Sequence, residues 1–377
     1  MHVEIDQQSL RTALQHISAG VPARSVSPIL MGVKLESSTD GLTLTACNTS
    51  VTLQYFISCA SDTLIIHNEG STVIPARYFI DIIRSLSEGM VTLEEMQNCF
   101  IRISSGHAVY RLAAMSADDF PVAAIPERNN GFSISNVELK QMVKQVAFAA
   151  ATSESKPVLT GVLCQTDEHK LTFAATDGIR LSTRTTRHSA NSVSSFPSVV
   201  IPAKHLSDYT KMLHNESGTT RITLSDHSIY FQTRNFSMLS LLIAGEFPSI
   251  NRLIPKTFST EISMDAASLL SSVLRAGLLA GPTHVVGIRI TDTEAEMFAA
   301  SAAVGDVSEK IAIQSFIGDP LTVFFNVTYL KDVLLAIETS QLRLHFTGRE
   351  NPFVIQPSTS PNAQYIITPV RTAYREA

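Results

Sequence analysis

The sequence has no tryptophan and only four cysteines, at positions 47, 59, 99 and 164. No two of them form a CxxC pair, which excludes the common zinc motifs and a disulfide framework and fits a reduced compartment. No run approaches the ~18 consecutive apolar residues of a membrane span. The start, Met1-His2-Val3-Glu4, lacks a basic segment followed by an apolar one, so no secretory signal is expected and the localisation expected is cytoplasmic. There is no GxxxxGK[ST], no GxGxxG after a strand, no HExxH and no GxSxG. The 11 histidines are scattered. Asp226-His227-Ser228 has the residue types of a triad, but the three are contiguous in an expected hairpin turn, whereas a working triad is assembled from distant elements. Glu94-Glu95 and Asp118-Asp119 are adjacent acids; neighbours on a strand point to opposite faces, so solvated surface acids are expected. Catalytic residue, metal and cofactor are all expected to be none, and no membrane contact is expected.

What the chain does have is repetition. Its 377 residues read as three units of about 126. Leu10, Ala13, Leu14 and Ile17 form a helical stripe; Leu139, Met142, Val143 and Val146 repeat it, as do Leu269, Val273 and Ala276 with Ser272 as a weak point. A second helix per unit has the stripes Phe79-Ile82-Ile83-Leu86, Leu206-Tyr209-Thr210-Leu213 and Leu330-Val333-Leu334-Ile337. Each follows a strand-like run ending in Pro75, Pro202 or Asn326, and each carries an Asp at the same offset: Asp81, Asp208, Asp332. Gly32, Gly161 and, more loosely, Gly287 mark a third shared position. Between the helices, alternating runs such as Val51-Leu53-Tyr55-Ile57 and the hairpin turns at 225–228 and 348–351 predict antiparallel strands. The fold class is therefore α+β: three tandem repeats, each with two helices packed on antiparallel sheets. The turn-rich segment 126–131 and Ile254-Pro255-Lys256 place the boundaries at 1–128, 129–256 and 257–377.

The net charge of −5 argues against a uniformly basic nucleic-acid binder. The charge is unevenly placed. The six helix windows hold nine basic residues (Arg11, Arg77, Arg84, Lys140, Lys144, Lys204, Lys211, Arg275, Lys331) against five acidic ones, a surplus of four. The remainder is correspondingly acidic, at −9. On charge alone, a phosphate-facing surface and an ordinary solvated helix face are equal readings.

Several stretches resemble the bacterial DNA sliding clamp family, the beta subunit of the replicative DNA polymerase: Arg24–Leu30, Val73–Phe79, Thr176–Leu181, Gly245-Glu246-Phe247-Pro248 and Ile366–Arg371. The resemblance covers the whole chain, and Thr152–Pro157 looks most like clamps of Gram-positive type. It implies two copies closed head to tail into a dimeric ring, with duplex DNA threaded through the hole without sequence preference. The helix cations above, together with Arg24, would face that DNA, and a second-domain loop contact would fall around 153–157. It also implies a cleft that receives short peptides from the replicative polymerase, the clamp loader and repair proteins. Its walls would be Thr176, Gly178, Ile179, Arg180, Leu181, Pro248, Arg252, Leu253, Ile366, Thr368, Pro369, Val370 and Arg371. At the dimer interface, Tyr110 and Leu112 would meet Leu278 and Leu279 of the second copy.

The chain departs from the family pattern at Ile179, where members often carry His, at Thr368, often apolar, and in a tail, 372–377, that would overhang the cleft. These motivate one alternative, a specialised clamp paralogue with a narrowed partner set. The other alternative is an enzyme on an unrelated α+β repeat scaffold, for which no motif speaks.

Overall fold

The computed structural model describes residues 1–60, 62–121, 131–167, 170–187, 197–213, 218–301, 304–360 and 362–371. Most of the expected boundary segment 126–131 and the whole 372–377 tail lie outside the described residues. The helices are α1 (Gln7–Ile17), α2 (Ala76–Ser85), α3 (Asn136–Val146), α4 (Ala203–Met212), the single turn α5 (Ile250–Leu253), α6 (Ala266–Leu279) and α7 (Val327–Ala336). Local chemistry sets their starts. The Asp6 carboxylate accepts from Ser9 N at 2.9 Å, Asp265 from Ser268 N at 2.7 Å and Asn326 from Thr328 N at 2.9 Å. Each cap satisfies a backbone donor that the helix leaves unpaired, worth about 1 kcal/mol. The apolar stripes of α1, α3 and α6 are buried. Ser272, the weak point of the α6 stripe, is buried too, and its hydroxyl donates to Glu309 at 2.8 Å, which removes the penalty of a lone polar group.

The described residues fall into two compact units. One centres on those of Met1–Val137 and Asp208–Leu242, the other on those of Glu138–His188, Ser194–Ser207 and Ile243–Ala377. The first unit holds a five-stranded sheet in the order Leu64–Asn68, His2–Asp6, Met90–Met96, Phe100–Ser105, Ala108–Ala113. It also holds a nine-stranded sheet in which Val51–Ser58 pairs with Phe236–Leu241. The second unit holds a twelve-stranded sheet in which Arg180–Arg187 pairs with Ala363–Ile367. These two ladders are seams between repeats: Leu53 stands opposite Met238, and Ser182 opposite Tyr365.

Registers reveal which residues correspond across the repeats. Val3 leads through Leu93 and Ile103 to Tyr110. Phe132 leads likewise to Met238, and Ile262 to Tyr365. Tyr110, Met238 and Tyr365 are therefore equivalent, and Ala108–Ala113 is the counterpart of the two strands that make the seams. Within the described chain, Ala108–Ala113 is an edge strand. The strand Gly305–Gly318 corresponds to Val51–Ser58 and Arg180–Arg187, each following its hairpin partner. The half of it that pairs with Glu294–Ser301 has no described neighbour on its other side.

One expected correspondence shifts. Gly32 pairs with Pro75 and Gly161 with Pro202, but the residue opposite Asn326 is Val285, not Gly287. Gly287 has its own reason to lack a side chain: a Cβ there would lie 2.3 Å from the ring of Phe298. The Asp226-His227-Ser228 stretch lies at the turn joining the hairpin strands Thr219–Leu224 and Ser228–Gln232. All four cysteines are free thiols, and burial pushes that of Cys164 up to about 12.

Candidate functional site

The helix cations divide by what they touch. Arg11, Arg24 and Arg77 are exposed, with no ion pair among the described residues. Arg84 and Lys211 sit near acids of their own helices, 3.9 Å from Asp81 and 3.6 Å from Asp208. Lys204 is exposed on α4, while Lys140 and Lys331 are half-buried. Lys144 is committed more firmly: its Nζ donates to Glu338 at 2.7 Å, and this bond holds the Glu338 carboxyl below the usual glutamate range. Arg275 donates through Nε to Glu309 at 2.8 Å, which lowers the Glu309 carboxyl in the same way. A cation already engaged by a carboxylate offers less to a phosphate, so Lys144 and Arg275 are weaker candidates than Arg11, Arg24 or Arg77. The segment 153–157 is exposed.

The expected cleft is partly assembled. Strand pairing sets Leu181 opposite Ile366, both 4% exposed, within one apolar cluster with Leu163, Val200 and Val354. Phe247, Ile250 and Ile254, from the segment that ends in α5, pack against this cluster. A groove of about 830 Å³ runs beside it. Pro248 is the expected residue that lines it; the floor is polar, made by Thr172, Thr183, Thr185 and Gln364. Arg252 and Leu253 are exposed on α5, and Ile179 is exposed on the turn before Arg180. Thr368 N donates to the Ile179 carbonyl at 3.0 Å, which ties the terminal strand's exit to that turn. Pro369 is buried, Val370 N donates to Phe324 O at 2.7 Å, and Arg371 points outward to Glu350 at 3.3 Å.

The turn Thr176–Arg180 is specified locally. The Asp177 carboxylate accepts from the backbone N–H groups of Ile179 and Arg180, both at 2.9 Å. Gly178 sits at φ 93°, a left-handed conformation that glycine adopts without strain. The side chain of Arg180 is not an open rim. It donates to Asp177 at 3.0 Å, to Asp332 at 2.7 Å and to the Phe148 carbonyl at 2.7 Å. Its guanidinium also lies over the rings of Phe148 and Tyr329, at 5.4 and 4.8 Å. Burial, with the nearby Asp177 carboxylate adding to it, raises the Tyr329 hydroxyl pKa. Sequence reasoning missed this cage. Its one visible signal was Asp332, at the repeated acidic position of the second helix.

Tyr110 and Leu112 lie on the edge strand Ala108–Ala113, with Tyr110 exposed. Leu278 and Leu279 close α6, and Leu278 is 81% exposed, an unusual position for a leucine in a finished surface.

Sequence models of the DNA polymerase III beta subunit match along the chain: the N-terminal domain at residues 1–125, the central domain at 133–249 and the C-terminal domain at 251–371. The beta sliding clamp of Bacillus subtilis is 30% identical over 378 residues, 99% of this chain and 100% of the relative. That of Halalkalibacterium halodurans is 29% identical over 379 residues, with the same coverage. Among solved structures, the Bacillus subtilis DNA polymerase sliding clamp superimposes with a TM-score of 0.95 at 30% identity, covering 99% of both chains. The Streptococcus pneumoniae DNA polymerase III beta chain gives 0.94 at 30% identity, covering 98% of this chain and 100% of that one.

Proposed function

We propose, for a chain that belongs to the DNA polymerase III beta subunit family, the sliding clamps, a division of labour among its parts. The protein is a sliding clamp, a non-catalytic processivity subunit of DNA replication. The three repeats, bounded at 1–128, 129–256 and 257–377, act as three clamp domains in a bacterial cytoplasmic homodimer. No described helix is long and apolar enough to cross a membrane.

The observation that carries the dimer is the pair of orphan strands. Each internal seam joins two strand types, and one of each type, Gly305–Gly318 and Ala108–Ala113, is left over. Pairing them between two copies completes the pattern, and doing so at both ends closes a ring. The internal register predicts the contacts. Leu163 opposite Ala174 becomes Gly287 opposite Phe298, and Thr176 opposite Leu181 becomes Ala300 opposite Asp306. Asp306 then takes the place of Leu181, and Arg111 the place of Ile366. So Asp306 faces the partner subunit's Arg111, and Val307 faces the partner subunit's Tyr110. Leu278 is the counterpart of Phe148, whose ring stacks 6.3 Å from Tyr365, so Leu278 covers the same tyrosine position and gains the burial it lacks alone.

Within the ring, Arg11, Arg24, Arg77, Arg84, Lys204 and Lys211 supply weak, sequence-independent attraction to duplex phosphates. Topology retains the DNA, so tight ion pairing is unnecessary and would slow sliding. The Leu181–Ile366 cluster and the groove beside it receive short extended peptides from the replicative polymerase, the clamp loader and repair proteins. Apolar anchors pack on the cluster, and polar flanks meet the threonine floor. The test is retention after loading: the protein is expected to stay on closed circular DNA and to run off linear DNA. Equal loss from both would overturn topological binding.

A second reading, a clamp with a narrowed partner set, rests on Arg180, whose donors are already committed, and on Ile179 and Thr368. Titration with a consensus polymerase peptide separates the two. Ordinary affinity would remove the second reading.

A further inference from the structure

The outer face of the five-stranded sheet carries a cluster that no part of the clamp function uses. His2 and Glu4 lie two residues apart on His2–Asp6 and so share a face. The core takes Val3 and Ile5 on the other face. His67 comes from Leu64–Asn68, the edge strand beside it. The register between these strands shifts: His2 stands opposite Asn68 but Val3 opposite Ile66. That bulge leaves His67 out of the ladder, two residues from the exposed Ile65 that stands opposite Glu4. The two imidazoles approach to 4.5 Å between centroids at 35°, and His67 Nε2 lies 3.0 Å from Glu4 Oε1. One donor atom from each of the three residues lies within 4.8 Å of the others.

We propose that His2, Glu4 and His67 bind one divalent transition-metal ion of the zinc class. Two imidazole nitrogens and one carboxylate oxygen are a donor set suited to Zn2+ and unlike the all-oxygen shells of Ca2+ or Mg2+. Tetrahedral bonds of about 2.1 Å set donors roughly 3.4 Å apart. Modest rotamer changes reach that spacing from the separations present, because all three side chains are partly exposed. Three protein donors leave a fourth position for water. Glu94, directly opposite His2 on Met90–Met96 and 3.9 Å from Arg102, is a further carboxylate beside the site. The ion pins the edge strand Leu64–Asn68 to its neighbour. The histidine scatter hid the site from sequence reasoning, since His67 lies 63 residues from Glu4.

The experiment titrates the full-length protein with ZnCl2 by calorimetry, and separately with CoCl2 by visible absorption. One ion per chain is expected, with the intense bands of four-coordinate cobalt and a rise in melting temperature. His67→Gln and His2→Gln should each weaken binding at least tenfold, while His107→Gln and His227→Gln, remote surface histidines, should leave it unchanged. Melting without metal checks that the variants fold. Absence of binding, or binding that survives the His2→Gln/His67→Gln double substitution, would overturn the proposal. Neither outcome bears on retention on circular DNA.

Discussion

The two seams inside the chain share a backbone pattern and differ in chemistry. The first, between Val51–Ser58 and Phe236–Leu241, is backed by an aromatic cluster around His16. That ring is 4% exposed and lies 4.7 Å from Tyr55 and 5.3 Å from Phe236, while Tyr209 stacks on Phe236 at 5.2 Å. The second, between Arg180–Arg187 and Ala363–Ile367, is tied by guanidinium groups. Arg180 reaches Asp177 and Asp332, and Arg184 reaches Glu138 at 3.2 Å and Ser360 at 3.1 Å. The outer face of the second seam is where the apolar cluster and its groove lie. With the apolar cluster on one face, the other face is held by forked, directional arginine bonds.

Removing Arg180 tests this most severely. Arg180→Ala removes the guanidinium from Asp332, Asp177 and the Phe148 carbonyl, of which Asp177 alone keeps its backbone donors, and breaking so enclosed a pair costs about 3 kcal/mol. A lower denaturant midpoint at unchanged slope is the expected result. Arg180→Lys should recover only part, because an ammonium cannot reach several acceptors as a planar fork does. A loss no larger than that of an exposed arginine would mean that the cage does not hold the seam.

The first seam should break more gently. His16 Nδ1 lies 2.7 Å from Thr12 O and Nε2 3.1 Å from Met212 O. Both partners are acceptors, so the ring makes both bonds at once only when both nitrogens carry protons. His16→Leu keeps an apolar side chain of similar volume but removes the ring contacts to Tyr55 and Phe236 and strands the Met212 carbonyl, at about 1–2 kcal/mol. Comparing the two melting shifts ranks the seams. A His16 variant as damaged as Arg180→Ala would reverse the ranking and make the aromatic seam the stronger tie.

The seams also explain what was legible in the sequence. The i, i+3, i+4 stripes of α1, α3 and α6 and the alternation of Val51–Ile57 identify elements, because burial of one face writes a period into the chain. Thr176–Leu181 and Ile366–Val370 were recognisable as motifs, and strand pairing does bring them together. The partner of Arg180 was not legible: Asp332 lies 152 residues away, and nothing local marks which acid a buried arginine will choose. Gly287 does not mark the same repeat position, because it answers to the Phe298 ring, whereas Gly32 and Gly161 answer to Val73 and Val200 on the neighbouring strand.

The third seam proposed between two copies sharpens the comparison further. At the position filled by Leu181 and Ile366 in the second seam, and by Thr52 and Leu239 in the first, the third would place Asp306 against the partner subunit's Arg111. A charge pair there would offer no apolar floor like that of Leu181 and Ile366. Arg111 and Asp306 are both exposed in the single chain, so their pairing is worth about 1 kcal/mol. The pair recurs at both junctions of the ring, so Arg111→Asp and Asp306→Arg should each weaken the dimer about thirtyfold in sedimentation equilibrium, by like-charge contact across the ladder. Combining them restores opposite charges and should recover most of the affinity, a coupling that distant residues do not show. If the double variant dissociates as readily as the product of the single effects, the two residues do not face each other, and the register carried over from the internal seams is wrong.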